Sequence, residues 1–142
     1  MIRLFRMEDY EDVLRLWTKT GGIGLRTLDD SYEGIEKFVR RNPNTNFVAI
    51  EDNRIIGVIL SGHDGRRGYI YHACVAEQYR KQSIGRTLVD KVIEAMKAEK
   101  ITKVSLVCFA DNKLGNHFWC SQGWNQRSDL NYYDKSINEM NI

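Results

Sequence analysis

A single proline, Pro43, stands in the 142 residues. That excludes a proline-rich spacer between domains, and no repeat or low-complexity tract interrupts the chain. Cysteine is scarce as well: Cys74, Cys108 and Cys120, an odd number without close pairs. Such usage does not make a disulfide framework and predicts reduced thiols in a cytoplasmic protein. Long hydrophobic runs are missing. The longest strongly apolar stretch is Ile55–Leu60, with Gly57 inside it, far short of the roughly 20 residues a membrane helix requires. Met1-Ile2-Arg3-Leu4 leads straight into a polar helical pattern, so no signal peptide is expected. Charge of one sign is also lacking. The 21 Lys and Arg against 19 Asp and Glu leave +2, too little by itself to argue for nucleic acid or an anionic membrane.

What is present fits one domain over residues 1–142, long enough to bury a core without staples. Ile2–Phe5 alternates like a short strand. Tyr10, Val13, Leu14 and Trp17 recur at helical spacing after Glu8-Asp9, acids placed where a helix N-terminus favours them. A second helix is expected from about Asp30 to Arg41. Arg41–Asn46 reads as a polar loop. Phe47–Ile50 and Ile55–Leu60 flank Glu51-Asp-Asn-Arg54 as a hairpin. Adjacent apolar residues in its second arm predict burial on both sheet faces. Tyr69–Val75 is a further strand. From Ser83 to about Glu99, Ile84, Leu88, Val89, Val92, Ile93 and Met96 form one helical stripe. Lys103–Phe109 reads as a strand, Asn112–Gln122 as a short helix closed by Gly123, and Trp124 onward and Tyr132–Ile137 as final strands. The expected architecture is one α/β layer structure with a mixed sheet.

Chemistry concentrates between residues 71 and 88. A buried strand ends near Val75, a polar turn follows, and a helix begins around Ser83–Gly85. The first N–H groups of a helix lack intrahelical partners and carry about half a positive charge. Ser83 and Gly85 are small, and Arg80, Lys81 and Arg86 add three cations with no acid between Gln78 and Val89. This is the composition of a pyrophosphate cradle; taken alone, it equally describes a solvated basic loop. Asn112 suits an ordinary N-cap, and Tyr69, Tyr71 and His72 suit packing within a sheet. His117 and Cys120 sit at i, i+3 without a companion pair, so no metal is expected. Gly22-Ile-Gly24-Leu-Arg-Thr27 imitates a dinucleotide loop but follows a helix rather than a strand.

At these residues the chain resembles the GNAT superfamily of N-acetyltransferases. Arg80-Lys81-Gln82-Ser83-Ile84-Gly85 parallels the family signature Arg/Gln-x-x-Gly-x-Gly/Ala, with Ser83 in place of the first glycine. Val75, Tyr79-Arg80, Ile84-Gly85-Arg86 and Leu88, the hairpin 47–57, and the block Asn112, Phe118-Trp119, Gly123-Trp124 follow in the family's order. The similarity covers nearly the whole chain and is closest to small bacterial members akin to ribosomal-protein-alanine acetyltransferases. It implies a GNAT fold with a mixed, mostly antiparallel sheet of about six to seven strands and about four helices.

The resemblance further implies direct transfer from acetyl-CoA to a primary amine of a small molecule, peptide or protein, without a covalent enzyme intermediate. Ala73, Cys74 and Val75 would pair with the pantetheine arm, and the Val75 N–H would polarise the thioester carbonyl. Backbone N–H groups from Lys81, Gln82, Ser83, Ile84, Gly85 and Arg86, with Arg80 beside them, would hold the pyrophosphate. Asn112 and Trp119 would contact the cofactor. Trp119 occupies the position of the family's tyrosine acid and Tyr69 that of its glutamate base, so neither role is matched. Tyr71 and Tyr69 are candidates to order a water that collects the amine proton. His72 is expected to point to the opposite face of a regular strand. The acceptor site is expected among loops near 20–30, 61–68 and 125–133, with Arg26, Trp17, Tyr132 and Tyr133 as candidate contacts. Partners beyond acetyl-CoA and the amine are not implied, except a possible homodimer: no nucleic acid and no membrane. The alternative is a catalytically weak CoA-binding sensor or interaction module.

Overall fold

The computed structural model describes residues 1–142. Strand β1 (Ile2–Leu4) leads through a 3-10 turn at Met7–Asp9 into helix α1 (Tyr10–Lys19) and then α2 (Tyr32–Arg41). Strands β2 (Phe47–Glu51), β3 (Arg54–His63) and β4 (Gly68–Val75) follow. Helix α3 (Ile84–Ala98), strand β5 (Val104–Leu106) and helix α4 (Lys113–Ser121) complete the order. The sheet runs β1-β2-β3-β4-β5; every pairing is antiparallel except β4 with β5, which is parallel.

Local chemistry accounts for the elements. Asp52 and Asn53 both take positive φ (51° and 59°), the geometry of a two-residue hairpin turn that suits Asp and Asn. Ser31 caps α2, its hydroxyl accepting the Gly34 N–H at 3.0 Å. A Cβ at Gly34 would stand 2.2 Å from the Leu28 carbonyl, so only glycine lets this helix start lie so close to the preceding loop. Burial would push the Asp9 carboxyl up. The bidentate grip of Arg3 (2.8 and 2.9 Å) and the Arg6 N–H (2.8 Å) overcome this and hold it below the usual carboxylate range.

The continuous apolar run of β3 is buried on both faces, as its pattern predicts. Val58 and Leu60 join Val13, Trp17 and Ile35 beneath α1 and α2. Ile56 and Ile59 join Leu88, Val92 and Met96 of α3. Three expectations are corrected. The sheet has five strands rather than six to seven. Residues from Trp124 onward, including Tyr132–Ile137, form no strand; the segment 125–137 is mostly polar, and Tyr132, Tyr133 and Ile137 stand exposed. Finally, the strand expected over Lys103–Phe109 forms only at Val104–Leu106, and Val107 and Phe109 stand exposed. The 41–46 segment is a polar loop as expected, though it is not solvated throughout. Asn42, Thr45 and Asn46 are buried because the sheet needs their hydrogen bonds.

A separate irregularity lies on the other edge of β3, between β3 and β4. Ile59 pairs with Ala73 but Ser61 pairs with Ile70, so Leu60 faces two residues, Tyr71 and His72. This two-against-one arrangement is a β-bulge. Ser61 turns its backbone to the other edge of β3, just past the start of β2, where its N–H is taken by Asn46 Oδ1 (2.9 Å) and its carbonyl accepts the Thr45 hydroxyl (2.7 Å).

Candidate functional site

The ladder between β4 and β5 covers only Gly68–Ile70 against Val104–Leu106. Beyond Ile70 the two strands part. The Ala76 N–H bonds the Ile56 carbonyl at 2.7 Å, which sets the antiparallel alternation. Cys74 and Ala76 direct their backbone groups toward β3, whereas Ala73 and Val75 direct theirs into the gap. One group in this gap is already used: the Val75 carbonyl accepts from Arg80 Nε at 3.1 Å.

The gap opens into a cleft of about 760 Å³, within the size range of small-molecule sites. One wall is Tyr71, Ala73, Cys74 and Val75; the other is Leu106, Val107 and Cys108. Helix α4 closes the far side with Asn112, Phe118 and Trp119, and Thr20–Ile23 form a lip. Arg80, Lys81, Ser83, Ile84, Gly85 and Arg86 lie at its mouth. Gln82 does not line this cleft; it faces a separate groove with Met1, Glu51 and Lys91.

The turn entering α3 leads into a first helical turn that has no acidic residue. Lys81 and Ser83 both sit in the left-handed region at φ 64°, a backbone conformation that recurs in anion-binding turns. Ser83 makes no side-chain cap, and the first bond of the helix runs from the Thr87 N–H to the Ser83 carbonyl. The N–H groups of Ile84, Gly85 and Arg86 are therefore without helical partners. A Cβ at Gly85 would lie 3.2 Å from Phe118 Cε1 and 3.7 Å from Val75 Cγ2. Glycine here lets α3 approach β4 and α4 closely.

Several residues sit differently from the reading of a regular strand. Tyr69 and Tyr71 share a face, with ring centroids 4.6 Å apart, and Tyr71 packs edge-on to Phe38 of α2. Ala73 and Val75 face the α3 side instead, because the bulge inverts the alternation between Tyr71 and Ala73. For the same reason His72 does not point to the far face. It turns with Tyr71 toward α1, 5.0 Å from the Trp17 ring, and meets Asp30 at 2.8 Å. Sequence periodicity cannot register a bulge, and that is why a regular strand places His72 on the opposite face.

Asn112 performs the capping role, its Oδ1 accepting the Gly115 N–H at 3.0 Å, while it also lines the cleft. Trp119 stacks edge-on between Phe118 and Trp124. Burial pushes the Cys74 thiol up to about 11, so it stays protonated at neutral pH and is unsuited to nucleophilic attack. Burial also raises Cys108. The turn 64–67 lies at the opposite end of β4 from Val75, about 20 Å along the strand, and does not line the cleft. Arg26 presents its backbone N–H to Asp30 (2.7 Å).

Residues 10–124 match the model of the Acetyltransferase (GNAT) family. The chain belongs to this family. It is similar to Acetyltransferase SG1711 of Sodalis glossinidius (strain morsitans), 32% identical over 111 residues that cover 78% of this chain and 77% of that protein. Two solved structures share the fold. One is AAC(6')-Iy in complex with the bisubstrate analogue CoA-S-monomethyl-acetylneamine, with TM-score 0.74, 15% identity, and coverage of 96% of this chain and 98% of that one. The other is ribosomal-protein-alanine N-acetyltransferase from Brucella melitensis biovar Abortus 2308, with TM-score 0.72, 17% identity, and coverage of 96% and 99%. This GNAT protein is thus an acetyltransferase, and no helix of it is long and apolar enough to cross a membrane.

Proposed function

We propose that this protein transfers the acetyl group of acetyl-CoA to a primary amine within a ternary complex. The observation that carries the reading is the parted β4–β5 pair, whose free Ala73 and Val75 backbone edge runs directly to the uncapped, acid-free N-terminus of α3. An extended pantetheine arm continues the broken ladder along β4. Its pyrophosphate meets the N–H groups of Ile84, Gly85 and Arg86, with Arg80, Lys81 and Arg86 adding charge. Bound acetyl-CoA supplies an activated thioester. The Val75 N–H is the donor aimed at the carbonyl oxygen as negative charge develops there. Tyr71, with Tyr69 against it, forms the acceptor-side wall and orders water. The buried, protonated Cys74 has no covalent role. Holding thioester and amine together is itself worth about 7–11 kcal/mol in well-oriented reactions.

Calorimetry with CoA tests the cradle. The parent protein binds CoA, and Gly85→Glu abolishes binding because its side chain collides with Phe118 and sets a carboxylate against the phosphates. Retained affinity in that variant refutes the cradle. Thiol release from acetyl-CoA with a peptide bearing N-terminal alanine, spermidine or neamine tests transfer. CoA binding without turnover on any of them favours the sensor reading, which Trp119 at the tyrosine position motivates.

A further inference from the structure

The β4 bulge creates a feature that the cleft description does not use. His72 Nε2 lies 2.8 Å from Asp30 Oδ1, and both side chains are largely buried, 13% and 9% exposed. Asp30 is held from two further directions. Its Oδ2 accepts the Arg26 N–H at 2.7 Å, and its carbonyl accepts the Tyr10 hydroxyl at 2.7 Å. A carboxylate can only accept here, so it fixes the proton of His72 on Nε2. Nδ1 is left as the basic lone pair. That atom makes no hydrogen bond within the chain, yet Trp17 Nε1 is the one buried side-chain polar atom without a partner. His72 Nδ1 therefore reaches solvent; His72 itself does not line the cleft, whereas its chain neighbour Tyr71 does. An imidazole with its tautomer set by a buried carboxylate, and with its other nitrogen free, is the arrangement of a proton acceptor.

We infer that His72, oriented by Asp30, accepts the proton of the acceptor amine through one water ordered at Tyr71. The inference rests on the acetyl-transfer reading above. In the step, the acceptor ammonium gives one proton through that water to His72 Nδ1. The freed nitrogen lone pair attacks the thioester carbon; the C–N bond forms and the C–S bond breaks. The second nitrogen proton goes to the departing sulfur. The imidazolium, stabilised by Asp30, then releases its proton to solvent, and no oxidant or further reactant is consumed.

Asp30→Asn gives the sharpest test. The amide oxygen still accepts the Arg26 N–H, but the amide N–H₂ now faces His72 Nε2 and drives the ring proton to Nδ1, which can no longer accept. Packing is kept while the tautomer is reversed. Asp30→Asn and His72→Gln are each expected to lower kcat/KM about 100-fold for the fastest of the three amines above. CoA affinity by calorimetry stays within twofold, and the double variant is no slower than the slower single one, because the two residues act as a unit. Activity within threefold of the parent overturns the inference. So does a double loss equal to the product of the single losses, or a fall in CoA affinity in step with activity. Absence of CoA binding, or of turnover with every amine, in the parent instead sinks the acetyl-transfer reading and this inference with it. Should neither variant fold, diethyl pyrocarbonate treatment of the parent decides. Hydroxylamine-reversible inactivation that tracks His72 modification and is slowed by the amine is expected, whereas full turnover with His72 modified refutes the role.

Discussion

Ser83 shows how a single residue reads differently before and after folding. In the sequence it is a departure from a glycine motif. In the structure its φ of 64° explains why glycine suits the position: a left-handed residue with a side chain costs about 1–2 kcal/mol. Glycine avoids that cost but loses roughly 0.5–1 kcal/mol in chain entropy. The two effects nearly cancel. Ser83→Gly is therefore expected to leave stability within about 1 kcal/mol of the parent, with CoA affinity intact. Ser83→Val, a branched side chain in the same conformation, loses a further 1–3 kcal/mol or so and opens the 80–83 curl, weakening CoA binding. Urea unfolding and calorimetry on the two variants check this. Equal behaviour of valine and glycine would show that the curl is not held in this conformation. Gly85 is a different case: the sequence marks it as a small residue that lets a phosphate reach the backbone, and only the structure shows that it also lets α3 pack against Phe118 and Val75.

At the scale of elements, helices were the most legible. The stripes of α1, α2 and α3 repeat with the helical period, and tertiary packing used the faces those stripes define, burying Val13 and Trp17 on α1 and Leu88, Val92 and Met96 on α3. Strand β4 was legible in extent but not in facing. A bulge adds one residue to a ladder, and it depends on which partner strand lies opposite, a non-local fact. On the opposite edge of β3, beyond its pairing with β2, side chains of the 42–46 segment take the place of ladder bonds. Asn46 is 1% exposed and bridges the Ser61 N–H and the Asn42 carbonyl. Asn46→Ala leaves these backbone groups buried and unpaired, a loss of about 1–3 kcal/mol for each group. Denaturant unfolding should show a lowered midpoint. Unchanged stability would mean that β3 is not braced from this side.

At the scale of the whole molecule, the 138–142 segment meets the loop between α1 and α2. Asn141 Oδ1 accepts the N–H groups of Leu28 and Asp29 at 2.9 and 3.0 Å, and Thr27 exchanges bonds with Met140 and Ile142. The same loop is held from beneath by Asp30 on His72. The 138–142 segment therefore clamps the loop that presents Asp30. Deleting residues 138–142 is expected to raise amide exchange at Thr27–Asp29 at least tenfold and to leave exchange in β3 unchanged. Equal protection in the truncated chain would show that the His72 contact suffices to hold the loop.

Composition, periodicity and one basic strand–turn–helix passage determined the fold class, the order from β1 to α4 and the position of the basic turn before α3, because those depend on residues close in the chain. The tertiary structure alone decided the rest: how far β4 and β5 part, that the 124–137 segment adds no strand, and that His72 stands with Tyr71 rather than behind it. Each depends on which backbone groups find partners across the sheet, and pairing between distant segments leaves no period in the sequence.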